Sequence, residues 1–180
     1  MEKFSIFIFT FLLLTFRAEA QKFGYIDSDV ILKQLPEYQK AEKELEEASS
    51  KWQQEIEAMK KRIEALQMSF SAEEVLLSED MRQERLDTIA AKEKAYRAYQ
   101  KKIFGFEGLL FLKRQELMKP VQEKVYKAVE KVAKEKQLQI IFDRSADLVM
   151  IYTNPVHNYT DYVLEELGLG DAKDVPDNKK

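Results

Sequence analysis

The chain has 180 residues, with 29 Lys+Arg against 32 Asp+Glu, a net charge of −3 and a pI near 5.5. Charged residues make up 34% and apolar ones 45%, a mix rich in Ala, Glu, Lys, Leu and Arg that favours long helices over one large compact core. No cysteine is present, which excludes a disulfide scaffold, a thiolate metal site and a lipid anchor carried on a cysteine.

Residues 1–20 read as a secretory signal peptide cleaved after Ala20. Lys3 gives a basic start, residues 4–16 are mostly apolar, and Ala18-Glu19-Ala20 supplies a small-x-small cleavage pattern. The apolar run is too short for a bilayer, which needs about 20 residues. The expectation is an exported protein with no stable membrane anchor.

Phe23-Gly24-Tyr25-Ile26-Asp27 predicts a short strand, and Ser28 or Asp29 can cap a short helix over residues 30–35. Pro36 suits the first turn of a new helix, with a bend before it. Between Glu37 and Phe104 there is no Gly or Pro, so a long helical stretch follows. Over residues 36–70, Leu45, Trp52, Ile56, Met59, Ile63, Leu66 and Phe70 form a heptad seam. That outgoing helix would be roughly 50 Å long. Reversal is expected within residues 69–78, where two N-caps compete. One is the capping box Ser71-x-x-Glu74; the other is Ser78, followed by Glu79 and Asp80. On the return limb Leu86, Ile89, Tyr96 and Ile103 are expected on one face. Gly105 and Gly108 then predict a kink or short loop. Leu117, Val121, Val125, Ala128 and Val132 resume a seam, and Pro120 within it predicts a second bend or a helix start. Gly105, Gly108 and Pro120 are therefore the candidate hinges.

Residues 138–143 and 147–153 both read as strands, joined by a hairpin loop at Arg144-Ser145-Ala146. A last helix over residues 161–167 has Thr160 as its expected N-cap and Gly168 as its stop. The fold class is α+β, mostly α. A long antiparallel helical hairpin, a coiled-coil arm over residues 36–136, stands on a small β body from residues 21–35 and 137–168. Residues 169–180 form a flexible tail. The expected body core is Phe23, Tyr25, Ile140, Phe142, Val149 and Ile151. Three short strands do not make a stable core alone, so oligomerisation is expected to complete it.

Signals for chemistry are weak. His157 is the only histidine and reads as a loop residue, and no ligand cluster suggests a metal. Ser28 has no neighbouring base, and no glycine-rich phosphate loop supports nucleotide use. No enzyme and no cofactor are expected. Charge is polarised along the arm: residues 73–91 carry six acids against two Arg, net −4, and residues 92–136 carry 13 Lys/Arg against six Glu, net +7. An exported chain of net −3 is not expected to bind nucleic acid. Trp52, Met59, Phe70 and Tyr96 lie on the seam and read as packing. Met68, Met81, Tyr99, Phe104, Phe106 and Phe111 lie off it, or near the tip and kink, and are candidate contacts for a partner chain.

These elements and their order resemble the Skp/OmpH family of periplasmic chaperones, in the form seen in Bacteroidetes-type proteins. The resemblance is carried by Phe23-Gly24-Tyr25-Ile26-Asp27, the helix start Ser78-Glu79-Asp80-Met81-Arg82, and Phe104-Gly105-Phe106-Glu107-Gly108. Leu117-Met118-Lys119-Pro120-Val121 and Ile140-Ile141-Phe142-Asp143-Arg144 also carry it. It implies a periplasmic homotrimer whose arms enclose unfolded outer-membrane β-barrel proteins, without ATP and without catalytic residues. The best-known members are strongly basic, and this chain is not. The rival reading is a structural coiled-coil spacer of the envelope with no client.

Overall fold

The computed structural model describes residues 21–146 and 150–170. The signal-peptide reading and Val149 lie outside the described residues. A strand, β1 (Phe23–Ile26), leads into a short helix, α1 (Ser28–Gln34), and extended Leu35 separates α1 from α2 (Pro36–Glu73). The cap of α1 is Asp27, not Ser28 or Asp29. Its carboxylate accepts the Val30 N–H at 3.1 Å, so the helix starts earlier than expected. Pro36 occupies the first turn of α2, where its missing N–H costs nothing.

α2 has 38 residues, about 57 Å at 1.5 Å per residue. It runs through Ser71, so the Ser71-x-x-Glu74 capping box is not used. A single 3₁₀ turn, Glu74–Leu76, makes the reversal. Ser78, preceded by extended Leu77, then caps α3 (Glu79–Phe104) by accepting the Met81 N–H at 3.4 Å. Ile56 and Ile63 of α2 and Ile89 and Ile103 of α3 are buried within the hairpin. Leu86 does not join them. It lies three residues before Ile89, about 60° off the seam, and it is exposed.

The Gly105–Gly108 break is present. Both glycines are extended, and Gly108 precedes α4 (Leu109–Lys136). Their role is close approach rather than unusual dihedrals. A Cβ on Gly108 would sit 2.5 Å from the Ile103 carbonyl oxygen, and one on Gly105 would overlap that of Lys101. The left-handed residue in the loop is Glu107, at φ 52°. Pro120 does not start a helix, because α4 is continuous across it. Pro120 and Glu116 are both exposed, so water can serve the carbonyl that loses its donor.

At the base, β2 (Ile140–Asp143) pairs in parallel with β1, with Phe23 opposite Ile140 and Tyr25 opposite Phe142. Among the described residues the expected antiparallel hairpin of residues 138–143 with 147–153 does not appear: residues 150–153 are not in a strand, and 147–149 are outside the described residues. The turn after β2 is instead locked onto α1. Asp143 Oδ1 accepts from the backbone N–H of Ser28 (3.1 Å) and of Ser145 (3.1 Å), and from the Ser145 hydroxyl (2.7 Å). The other edge of β1 takes a lone bridge at Asn158, next to which the Tyr159 N–H donates to the Tyr25 carbonyl at 2.8 Å. A Cβ on Gly24 would overlap the Tyr159 ring, which explains a glycine inside this strand.

The last helix, α5, spans Thr160–Glu166. Thr160 is inside its first turn, not at the cap. Its hydroxyl is spent on the Asn158 side chain (2.7 Å) and on the Asp27 N–H (3.0 Å). Gly168, at φ +75°, ends the helix as expected, with Gly168 and Leu169 N–H groups bonded to the Glu165 and Leu164 carbonyls.

One buried cluster joins Ile26, Ile31 and Leu35 to Val121, Val125, Ala128 and Val132 of α4 and to Tyr162, Val163 and Leu164 of α5. The base of the arm thus shares a core with the body. Strand alternation puts Ile26 and Ile141 on the side of this cluster, and Phe23, Tyr25, Ile140 and Phe142 on the other. On that second face Tyr25 is buried, while Phe23, Ile140 and Phe142 are exposed, as is Ile151.

Candidate functional site

The arm is zipped by polar rungs as well as by its seam. The Tyr99 hydroxyl donates to Glu55 across the hairpin, and that hydrogen bond raises the Tyr99 pKa. Gln67 Nε2 donates to Glu93 at 3.0 Å, and Arg85 lies 3.6 Å from Glu73 near the tip. Near the base Lys124 Nζ donates to Glu37 at 2.5 Å and holds that carboxyl below its ordinary range. All seven expected seam residues of α2 are buried or half-buried.

Besides Leu86 and Tyr126, the exposed large apolar residues of the arm lie at its tip and at the glycine break. At the tip, Met68 and Met81 are exposed, together with Val75 and Leu76 at 88% and 82%. Acids neighbour them in sequence: Glu73, Glu74, Glu79 and Asp80. At the glycine break, Phe104 and Phe111 are exposed and Phe106 is 97% exposed, beside Lys101, Lys102, Lys113 and Arg114. Leu112, next to Phe111 in sequence, is exposed as well. Of the six candidate contacts, Tyr99 stands apart, because it is half-buried and bonded to Glu55.

Val75, Leu76 and Leu112 were missed as surface candidates. A signal for the first two was present: Val75-Leu76-Leu77 is apolar but out of register with the seam, in the segment expected to turn. Between the patches, a groove of about 490 Å³ opens between α2 and α3. Met59, Ile63 and Leu66 line it, with Arg62 and Lys92 among its cations. A second groove of about 490 Å³ lies on the exposed sheet face, lined in part by Phe23, Phe142, Met150 and Tyr152.

Among the described residues no group of three or more His, Cys, Asp or Glu could hold a metal ion, and no helix is long and apolar enough to cross a membrane. Fold and surface together define a class: a long helical hairpin rooted in a small α/β base, with unpaired apolar patches on the arm and on the sheet. Residues 22–167 match the family described as outer membrane protein (OmpH-like), and the chain belongs to that family. An uncharacterized protein of Aquifex aeolicus (strain VF5) is 30% identical over 145 residues, 81% of this chain and 85% of its own. A crystal structure described as an outer membrane chaperone (OmpH-like) from Caulobacter crescentus CB15 superimposes with a TM-score of 0.64 at 16% identity. That match covers 82% of this chain and 84% of the other.

Proposed function

We propose that the protein is an ATP-independent periplasmic holdase. Its arms grip unfolded outer-membrane β-barrel proteins through many weak contacts and keep them from aggregating. The observation that carries this reading is the set of exposed apolar residues at the tip and at the glycine break of the arm, above all Phe106 at 97% exposure. Membership of the OmpH-like family supports the reading, as does the crystal structure described as a chaperone. Large exposed apolar residues rimmed by charge mark surfaces that bind other chains. Methionine at the tip and aromatics at the break suit clients of varied sequence. The basic limb adds attraction for acidic client segments.

Assembly belongs to the same proposal. Phe23, Ile140 and Phe142 on the sheet face, with exposed Ile151 after it, are the residues that neighbouring copies would cover, making a homotrimer with three arms around one cavity. Gly105, Gly108 and Pro120 act as hinges that let the cavity adapt to client size. Export through a signal peptide cleaved after Ala20 delivers the chain to the periplasm.

The test is dilution of a urea-unfolded outer-membrane β-barrel into the protein without nucleotide, followed by light scattering. Suppression near one assembly per client is expected. No suppression at large excess sinks the holdase reading and favours the spacer.

A further inference from the structure

Cleavage after Ala20, the reading on which this inference rests, makes Gln21 the first residue of the mature chain. A glutamine at an amino terminus has a reaction open to it that it lacks inside a chain. Its α-amine and its own side-chain amide carbon can close a five-membered ring. The geometry around Gln21 permits this. Gln21 is exposed and stands outside β1, which begins at Phe23. Among the described residues no hydrogen bond holds it. The next residue is fixed instead: the Lys22 carbonyl accepts the Gln139 N–H at 2.8 Å, one step beyond the paired strands. The chain is thus anchored one residue after its mobile end.

The surroundings favour a neutral terminus. Gln21 lines a groove at the base of the arm together with Lys22, Glu130, Lys134, Gln137 and Gln139. Glu130, the one carboxylate among the described residues of that groove, is already held by Lys134 at 2.6 Å. A terminal ammonium would add a further cation beside Lys22 and Lys134 and would find no unengaged carboxylate there, and like charges disfavour one another. A cyclic amide carries no charge. Its N–H and carbonyl oxygens are groups that the side-chain amides of Gln137 and Gln139 can meet.

We propose that Gln21 of the mature chain is converted to pyroglutamate, and that the ring shields β1. The neutral α-amine attacks the side-chain amide carbon. The ring C–N bond forms, the bond from that carbon to its NH2 group breaks, and one proton of the amine leaves with that nitrogen as ammonia. No oxidant and no cofactor are needed. An α-amine ordinarily titrates near about 7.7–8.0, so the reactive neutral form is present around neutral pH. The shielding follows from position. An aminopeptidase needs a free amine, and only Gln21 and Lys22 separate the terminus from Phe23, which stands on the sheet face proposed for assembly. Trimming past Lys22 would also remove the bond to Gln139.

The experiment isolates the protein from the cells that export it and compares its intact mass with that of residues 21–180. A mass lower by one ammonia is expected. N-terminal sequencing should give no signal until a pyroglutamyl aminopeptidase is added, and should then start at Lys22. Gln21→Ala adds a second measurement, because it keeps a small residue after the cleavage site and cannot cyclise. Its mass should be that of the uncyclised chain, and a broad aminopeptidase should remove its first residues while the native protein resists. Circular dichroism checks that the two proteins are equally folded. A free glutamine amine on most molecules would overturn the proposal and leave cleavage after Ala20 intact. A terminus at any other residue would overturn both. Equal survival of the two termini under the aminopeptidase would overturn the shielding. Client holding is read separately by light scattering, so it can stand or fall without this proposal.

Discussion

Gln137 occupies the position after α4 where a glycine is usually found. Its backbone is left-handed, at φ 56° and ψ 38°, and the Gln137 and Leu138 N–H groups close onto the Lys134 and Ala133 carbonyls. A side chain in that conformation costs about 1 kcal/mol. Gln137→Gly should therefore raise stability by up to about 1 kcal/mol, visible as a higher thermal midpoint. Asp143 is the second telling residue. Burial pushes its carboxyl up, but the hydrogen bonds from Ser28 and Ser145 outweigh that and leave it below the ordinary value of 3.8. A carboxyl depressed in the folded state contributes stability that is present above the unfolded pKa and is lost as pH falls through the folded one. The thermal midpoint should drop below about pH 4. In Asp143→Asn the drop should be smaller, since the acceptor oxygen survives and the titration does not.

At the level of elements, the glycine break separates two roles that one mutation would confuse. Gly108→Ala drives a Cβ into the Ile103 carbonyl, so it should disturb the break itself rather than stiffen it. Phe106→Ser touches no packing, given its near-complete exposure, and should leave the thermal midpoint unchanged. If the break grips clients, the same substitution should raise the amount of protein needed to suppress aggregation. Unchanged suppression would move the grip to the tip, where Val75→Ser and Leu76→Ser together are the corresponding test.

For the whole molecule, the two faces of the small sheet have different owners. One is closed by the chain's own α1, α4 and α5. The other leaves Phe23, Ile140 and Phe142 in water. If that face carries the proposed assembly, Phe142→Asp should leave single chains in analytical ultracentrifugation while circular dichroism keeps its helical signal. An unchanged sedimentation coefficient would place assembly elsewhere.

Periodicity alone carried the arm. With no Gly or Pro from Glu37 to Phe104 and apolar residues every three or four, the long helices, the Ser78 cap and the glycine break were legible because each depends on neighbours within a few residues. The family, too, could be read from local motifs in order. The base was different. Parallel pairing of β1 with β2 joins residues over 110 positions apart, and the hydrogen bond of Ser28 to Asp143 spans 115. Pairing partners distant in sequence leave no local periodicity, so only the tertiary structure could choose them. The same holds for exposure. Leu86 and Ile89 are alike in composition, and their 60° separation around α3 becomes an outside and an inside only once α2 is packed against one of them.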